Sequence, residues 1–207
     1  NTGELLSDRI PNVYIFYSIE WSNCGKYIFY ITVDEQQRPY QLWRHRLGTD
    51  HQDDKLIYEE KDTTYTLFIS KSQSGKFIFV HSTSKSTSEI RLLDADDPLS
   101  PLTLIDTRRA GIEYDVEHWG DDLLILTNEN ALNFKLVRAS LHDLQSREEV
   151  IPHDEKRFLQ GMYPFRNTLI LSGRENGLTQ VWKFEAGKLT RLEWDEPLYT
   201  VSVLPEQ

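Results

Sequence analysis

A hydrolase of the α/β type presents its nucleophile on a Gly-x-Ser-x-Gly elbow, and the 207 residues contain none. Serines crowd instead into Ser82-Thr83-Ser84-Lys85-Ser86-Thr87-Ser88, which reads as a solvated hairpin tip. Cys24 sits in the turn Ser22-Asn23-Cys24-Gly25 with no histidine near it in sequence. A reactive thiol needs an electropositive setting, so Cys24 reads as structural. His45, His51, His81, His118, His142 and His153 never fall into a His-Glu-x-x-His pattern, and no metal-ligand spacing links them. Asp94-Ala95-Asp96-Asp97 invites a calcium reading, but an EF-hand loop starting there needs Gly at 99 and Glu at 105, where the chain has Leu99 and Ile105. It reads as an acidic turn running into Pro98.

Paired carboxylates are the remaining chemistry. Asp53-Asp54, Glu59-Glu60, Asp121-Asp122 and Glu148-Glu149 have the residue type that a glycosidase uses as acid and base. Neighbours on a strand point to opposite faces, so the two members of a pair cannot share one substrate. They read as solvated strand ends. The glycines stand singly in turns and form no phosphate loop. No catalytic, metal or cofactor residue is therefore assigned, and no substrate-binding residue can be named.

Composition narrows the partners. With 23 Lys+Arg against 33 Asp+Glu the net charge is −10, which argues against a nucleic-acid backbone as ligand. That charge either attracts basic peptides or serves solubility alone. No run of about 18 apolar residues is present to span a membrane as a helix. One cysteine and no Asn-x-Ser/Thr acceptor point to a reducing, cytoplasmic home. The hydrophobic fraction of 39% supports a real core.

The elements that carry these residues are set by an internal repeat. Apolar runs recur at Tyr27-Ile28-Phe29-Tyr30-Ile31, Phe77-Ile78-Phe79-Val80, Leu123-Leu124-Ile125-Leu126 and Leu169-Ile170-Leu171, each after a turn signal. A strand precedes each run, at Ile15–Glu20, Thr66–Ser70, Tyr114–His118 and Phe158–Tyr163. Two more follow: a third at Gln41–Leu47, Glu89–Asp94, Asn133–Ser140 and Thr179–Glu185, and a fourth at Lys55–Glu59, Leu102–Asp106, Glu148–Ile151 and Lys188–Glu193. No window sustains a period of 3.6. The second strand is apolar on both parities, so both its faces are covered.

Four-stranded units at roughly 46–50 residues are the blades of a β-propeller, whereas an immunoglobulin-like sandwich lacks this recurrence. The expected blades span 13–62, 63–110, 111–156 and 157–197, with Tyr199–Val203 opening a fifth in 198–207. A closed ring needs roughly 4–8 blades. The chain thus reads as an all-β propeller fragment cut from a longer protein, and its end blades are expected to self-associate through uncovered faces.

A resemblance sharpens this. Pro39-Tyr40-Gln41-Leu42-Trp43-Arg44-His45, then Gly48-Thr49, then Asp54-Lys55-Leu56-Ile57-Tyr58-Glu59-Glu60-Lys61-Asp62 closely resembles the oligopeptidase B branch of the prolyl oligopeptidase family. Further matches include Arg91-Leu92-Leu93-Asp94-Ala95, Asn133-Phe134-Lys135-Leu136 and Ile151-Pro152. The resemblance implies a seven-bladed cap over an α/β-hydrolase domain that carries a Ser–Asp–His triad. It also implies cleavage of short peptides after Lys or Arg by the parent serine peptidase, with this fragment alone inactive. The triad belongs to the missing hydrolase domain, which would be the fragment's natural partner. The competing reading is a stand-alone interaction propeller: Trp194-Asp195 is a lone dipeptide of the WD40 kind.

Overall fold

The computed structural model describes residue 3, residues 6–196, residues 199–201 and residue 203. Among them lie four four-stranded antiparallel sheets and one short 3-10 turn, His51–Asp53. The chain divides into two compact units, residues 1–107 and 108–207.

In the first unit, sheet one is the meander β1 (Ile19–Trp21), β2 (Tyr27–Val33), β3 (Pro39–Arg46) and β4 (Lys55–Glu59). Sheet two is β5 (Thr66–Lys71), β6 (Phe77–Thr83), β7 (Ser88–Asp94) and β8 (Thr103–Asp106). Alternation puts Phe29 and Ile31 of β2 on one face, where with Leu42 they meet Leu67, Ile69, Ile78, Val80 and Leu93 of sheet two. Each such side chain, fully buried, contributes roughly 1.5–3 kcal/mol.

The second unit repeats the design. Sheet three is β9 (Tyr114–Trp119), β10 (Asp122–Thr127), β11 (Lys135–Ser140) and β12 (Asp143–Ile151), and sheet four is β13 (Arg157–Pro164), β14 (Leu169–Glu175), β15 (Leu178–Glu185) and β16 (Lys188–Arg191). Its core joins Leu124, Leu126, Leu136 and Ile151 to Leu159, Leu169, Leu171 and Trp182. The hairpin between β14 and β15 turns on two residues, Asn176 at φ 52° and Gly177 at φ 80°, the pair that a two-residue turn with both centres left-handed demands.

The double coverage expected of the second strands holds in β6, buried from Phe77 to Ser82, and in β10, buried from Leu123 to Thr127. In β14 burial alternates, with Leu169, Leu171 and Gly173 buried and Arg174 exposed. The expected first strand Ile15–Glu20 is corrected to Ile19–Trp21. Val13 bridges Thr32 and the Tyr14 amide donates to the Ile31 carbonyl, but the chain then leaves the sheet. Tyr17 adopts φ 46°, the Ser18 hydroxyl donates to the Tyr14 carbonyl, and Ile15, Phe16 and Tyr17 project into solvent. The third strand of sheet three likewise starts at Lys135, not Asn133, because Phe134 sits at φ 65°. Of the stretch 198–207, residues 198, 202 and 204–207 lie outside the described residues. Tyr199 packs its ring on Trp194 at 4.5 Å and donates its hydroxyl to Gln180.

Candidate functional site

The candidate residues separate by burial. Of the serine-rich stretch only Lys85 and Ser86 at the hairpin tip are exposed. Ser82, Thr87 and Ser88 are buried, which corrects the reading of the whole stretch as solvated. Cys24 is exposed in its turn, and hydrogen bonding from Ser22 and the Lys26 backbone lowers its thiol below the usual range. Asp94, Asp96 and Asp97 do form a turn: Asp94 accepts from the Asp96 amide, Asp97 from the Leu99 amide, and Asp96 from Asn23. Asp53, Asp121, Glu148 and Glu149 are solvated or nearly so, but Asp54 and Glu60 are not. Among the described residues no group of three His, Cys, Asp or Glu side chains is placed to hold a metal ion.

Glu60 is the carboxylate that alternation turned inward at the end of β4. It is buried, and it accepts from the Ser82 hydroxyl, the Tyr58 hydroxyl and the Asp62 amide. Next to it, Arg38 in the β2–β3 hairpin reaches over the crossover to sheet two. Its Nη1 donates to the carbonyls of Glu60, Asp62 and Tyr65 at 3.3, 3.3 and 3.0 Å, and its Nε to Asp34 at 2.9 Å. In the second unit, Asn133 does the same for the crossover after sheet three, donating to Asp154 and Glu155 carbonyls. These carbonyls belong to the loops between sheets, where the Asp62 and Asp154 carbonyls also accept the Tyr65 and Arg157 amides. Arg38→Ala removes the charged donor shared by three of them and is expected to cost about 2 kcal/mol, read as a lower urea midpoint with unchanged slope. A loss below 0.5 kcal/mol would show that solvent takes over the guanidinium's work.

A second polar cluster lies on sheet one. His45, fully buried, contacts Asp54 through Nδ1 at 2.7 Å and Asp8 through Nε2 at 3.3 Å. Tyr30 donates to the other Asp54 oxygen at 2.8 Å. Neither Asp8 nor Tyr30 carries a sequence signal, since their partners are 37 and 24 residues away.

One serine–histidine contact has the length that nucleophile activation needs: Ser70 Oγ to His81 Nε2, 2.9 Å. Burial alone drives His81 down to about 3, so it is a poor base near neutrality. Phe68 stacks on the ring at 4.1 Å, and no carboxylate meets it among the described residues. Two open hollows of about 380 and 390 Å³, one beside Arg174 and Tyr199 and the other beside Arg138 and Arg147, contain no histidine. Among the described residues, the polar side chains set out above fasten loops and strands.

The sequence pattern of the prolyl oligopeptidase N-terminal beta-propeller domain matches residues 1–207. The chain belongs to the prolyl oligopeptidase family. Its sheets are blades of that propeller. The propeller is 68% identical over 207 residues to Protease 2 of Moraxella lacunata, covering 100% of this chain and 30% of the relative. To dipeptidyl aminopeptidase BI of Pseudoxanthomonas mexicana it is 30% identical, covering 98% of this chain and 28% of that protein. Among solved structures, oligopeptidase B from Leishmania major superposes with a TM-score of 0.88 at 28% identity, over 94% of this chain and 29% of that one. The propeller thus spans less than a third of the length of the relatives it matches.

Proposed function

We propose that this propeller is the substrate filter of a serine-type oligopeptidase, of the oligopeptidase B kind, that cuts short peptides after Lys or Arg. The observation that carries the reading is the match of every residue to the family's propeller, together with identity of 68% to a protein named Protease 2. The side chains support it from the other side: in the close Ser70–His81 pair, burial lowers the histidine and leaves it a poor base near neutrality. A blade ring admits an extended chain and turns away a folded one on size alone. Its net charge of −10 favours the approach of cationic peptides.

The test is direct. The 207-residue chain is expected to leave an Arg-amide substrate intact. The gene that carries this sequence is expected to encode a Gly-x-Ser-x-Gly elbow as well, and its full product to cut the same substrate. Turnover by the chain alone, or a gene without the elbow, sinks the reading.

A further inference from the structure

The segment ahead of β1 is fastened to the first blade at two levels. At the level of Thr32 the fastening is backbone: Val13 bridges Thr32 and the Tyr14 amide donates to Ile31. At the level of Ile28, which pairs with His45 across β2 and β3, the fastening is ionic. One oxygen of Asp8 accepts from the Gly48 amide at 2.8 Å and meets His45 Nε2 at 3.3 Å. We infer that Asp8, His45 and Asp54 form a proton-operated clasp, which holds this segment on the blade while His45 is an imidazolium and loosens it when the ring becomes neutral.

The number of N–H donors on the ring decides which contacts can hold. Carboxylates only accept, and a neutral imidazole has a single N–H. His45 has a carboxylate at each nitrogen, so both contacts are hydrogen bonds only when both nitrogens carry a proton. The groups facing the ring are Asp54 from the junction into β4, Asp8 from the N-terminal segment and, behind Asp54, Tyr30 from β2. The Asp54 contact is the shorter, and Asp54 is 1% exposed against 11% for Asp8. The shorter bond keeps its proton, so deprotonation strips Nε2 and turns its lone pair toward the Asp8 carboxylate. Asp8 then loses its ionic partner and retains the Gly48 amide and the neighbouring Ser7 hydroxyl.

The direction of the proton affinities fits. Burial pushes His45 down, but hydrogen bonds and charge from Asp54 and Asp8 more than restore it, and it lies above the ordinary 6.5. The Gly48 amide and His45 hold Asp8 below the ordinary 3.8. A raised histidine contributes stability that is complete below 6.5 and lost as pH rises through its folded value. A lowered aspartate contributes above 3.8 and is lost as pH falls through its own. The clasp is therefore closed at mildly acid pH and opens as pH rises through the folded value of His45, above 6.5.

Trypsin cleavage after Arg9, normalised to a free peptide of residues 6–13, reads the opening. In the full 207-residue chain the normalised rate is expected to rise about tenfold from pH 6 to pH 8.5. Asp8→Ala should be cut fast at both pH values, with amide protection in β6 and β10 unchanged. Equal rates at the two pH values in the wild type, or the wild-type pH dependence persisting in Asp8→Ala, overturns the clasp. Should the variant not fold, ¹⁵N spectra of the wild-type ring decide. A doubly protonated His45 titrating above 6.5 and moving the Gly48 amide with it supports the clasp, and a midpoint at or below 6.5 overturns it.

Discussion

Alanine at position 173 is expected to disrupt the fourth sheet more than any surface change in the chain. Gly173 of β14 opposes Leu159 of β13 at the point where the register slips between Leu159 and Gly161. A Cβ built on Gly173 would lie 2.0 Å from the Phe158 carbonyl oxygen and 3.1 Å from Leu159 Cα. Both are backbone atoms of a paired strand, so relief requires moving the strand and its hydrogen bonds. Overpacking of a well-filled site typically costs 1–3 kcal/mol, and with rigid backbone as the obstacle the loss should be about 3 kcal/mol or more, near 10 °C in melting temperature. Gly161 is the natural control. Its added Cβ would meet the Ser172 hydroxyl and the Tyr163 ring end, at 2.8 and 2.9 Å. Those are side chains that can turn aside, so Gly161→Ala should be milder. A Gly173→Ala variant melting with the wild type would refute the close approach.

The second large effect is acid sensitivity centred on His81. This ring is 4% exposed, stacked on Phe68 and edge-on to Phe79, and its Nε2 shares a hydrogen bond with the Ser70 hydroxyl. Burial lowers it from 6.5 to about 3. Between those values the unfolded chain binds a proton that the folded chain refuses, so stability falls as the solution is acidified. The slope approaches 1.4 kcal/mol per pH unit, and the total by pH 3 is about 4 kcal/mol. Other groups also titrate in this range, which makes the comparison with His81→Phe the proper measurement. The variant sacrifices the Ser70 hydrogen bond at every pH, an offset that leaves the slope untouched. Urea titrations at pH 6, 5 and 4 should show a flatter dependence in His81→Phe. Parallel lines for the two proteins would remove His81 as the cause.

The sheets were legible because their physics is repetitive. A strand covered on both sides must be apolar at every position, and Phe77–Val80 and Leu123–Leu126 show it without alternation. The run Ile15-Phe16-Tyr17-Ser18 misled for the opposite reason. Its residues are good strand formers, but a left-handed Tyr17 and a Ser18–Tyr14 hydrogen bond take it out of the sheet, and nothing local in the sequence announces a tyrosine at positive φ.

The polar clusters were half visible. Alternation already says that one member of Asp53-Asp54 and one of Glu59-Glu60 faces inward. Reading both members as solvated set that aside. Which carboxylate turns in, and what meets it, depends on His45, Tyr30, Ser82 and Asp8, brought together only by the finished fold. The family came from a contiguous match around Trp43. The buried chemistry came from residues that no short motif connects.

The fourth strands of the first three blades share a trait whose consequence lies outside the monomer. Each slips register against its inner neighbour: between Leu42 and Trp43, between Ile90 and Arg91, and twice along β11, at Leu136/Val137 and Ala139/Ser140. The longest of them, β12, also places Arg147, Glu148 and Glu149 in a row. An amyloid fibril grows by laying flat, evenly spaced strands onto an existing edge. A kinked, charged border offers incoming chains no continuous ladder, so these sheets carry within their own geometry a defence against fibrillar growth.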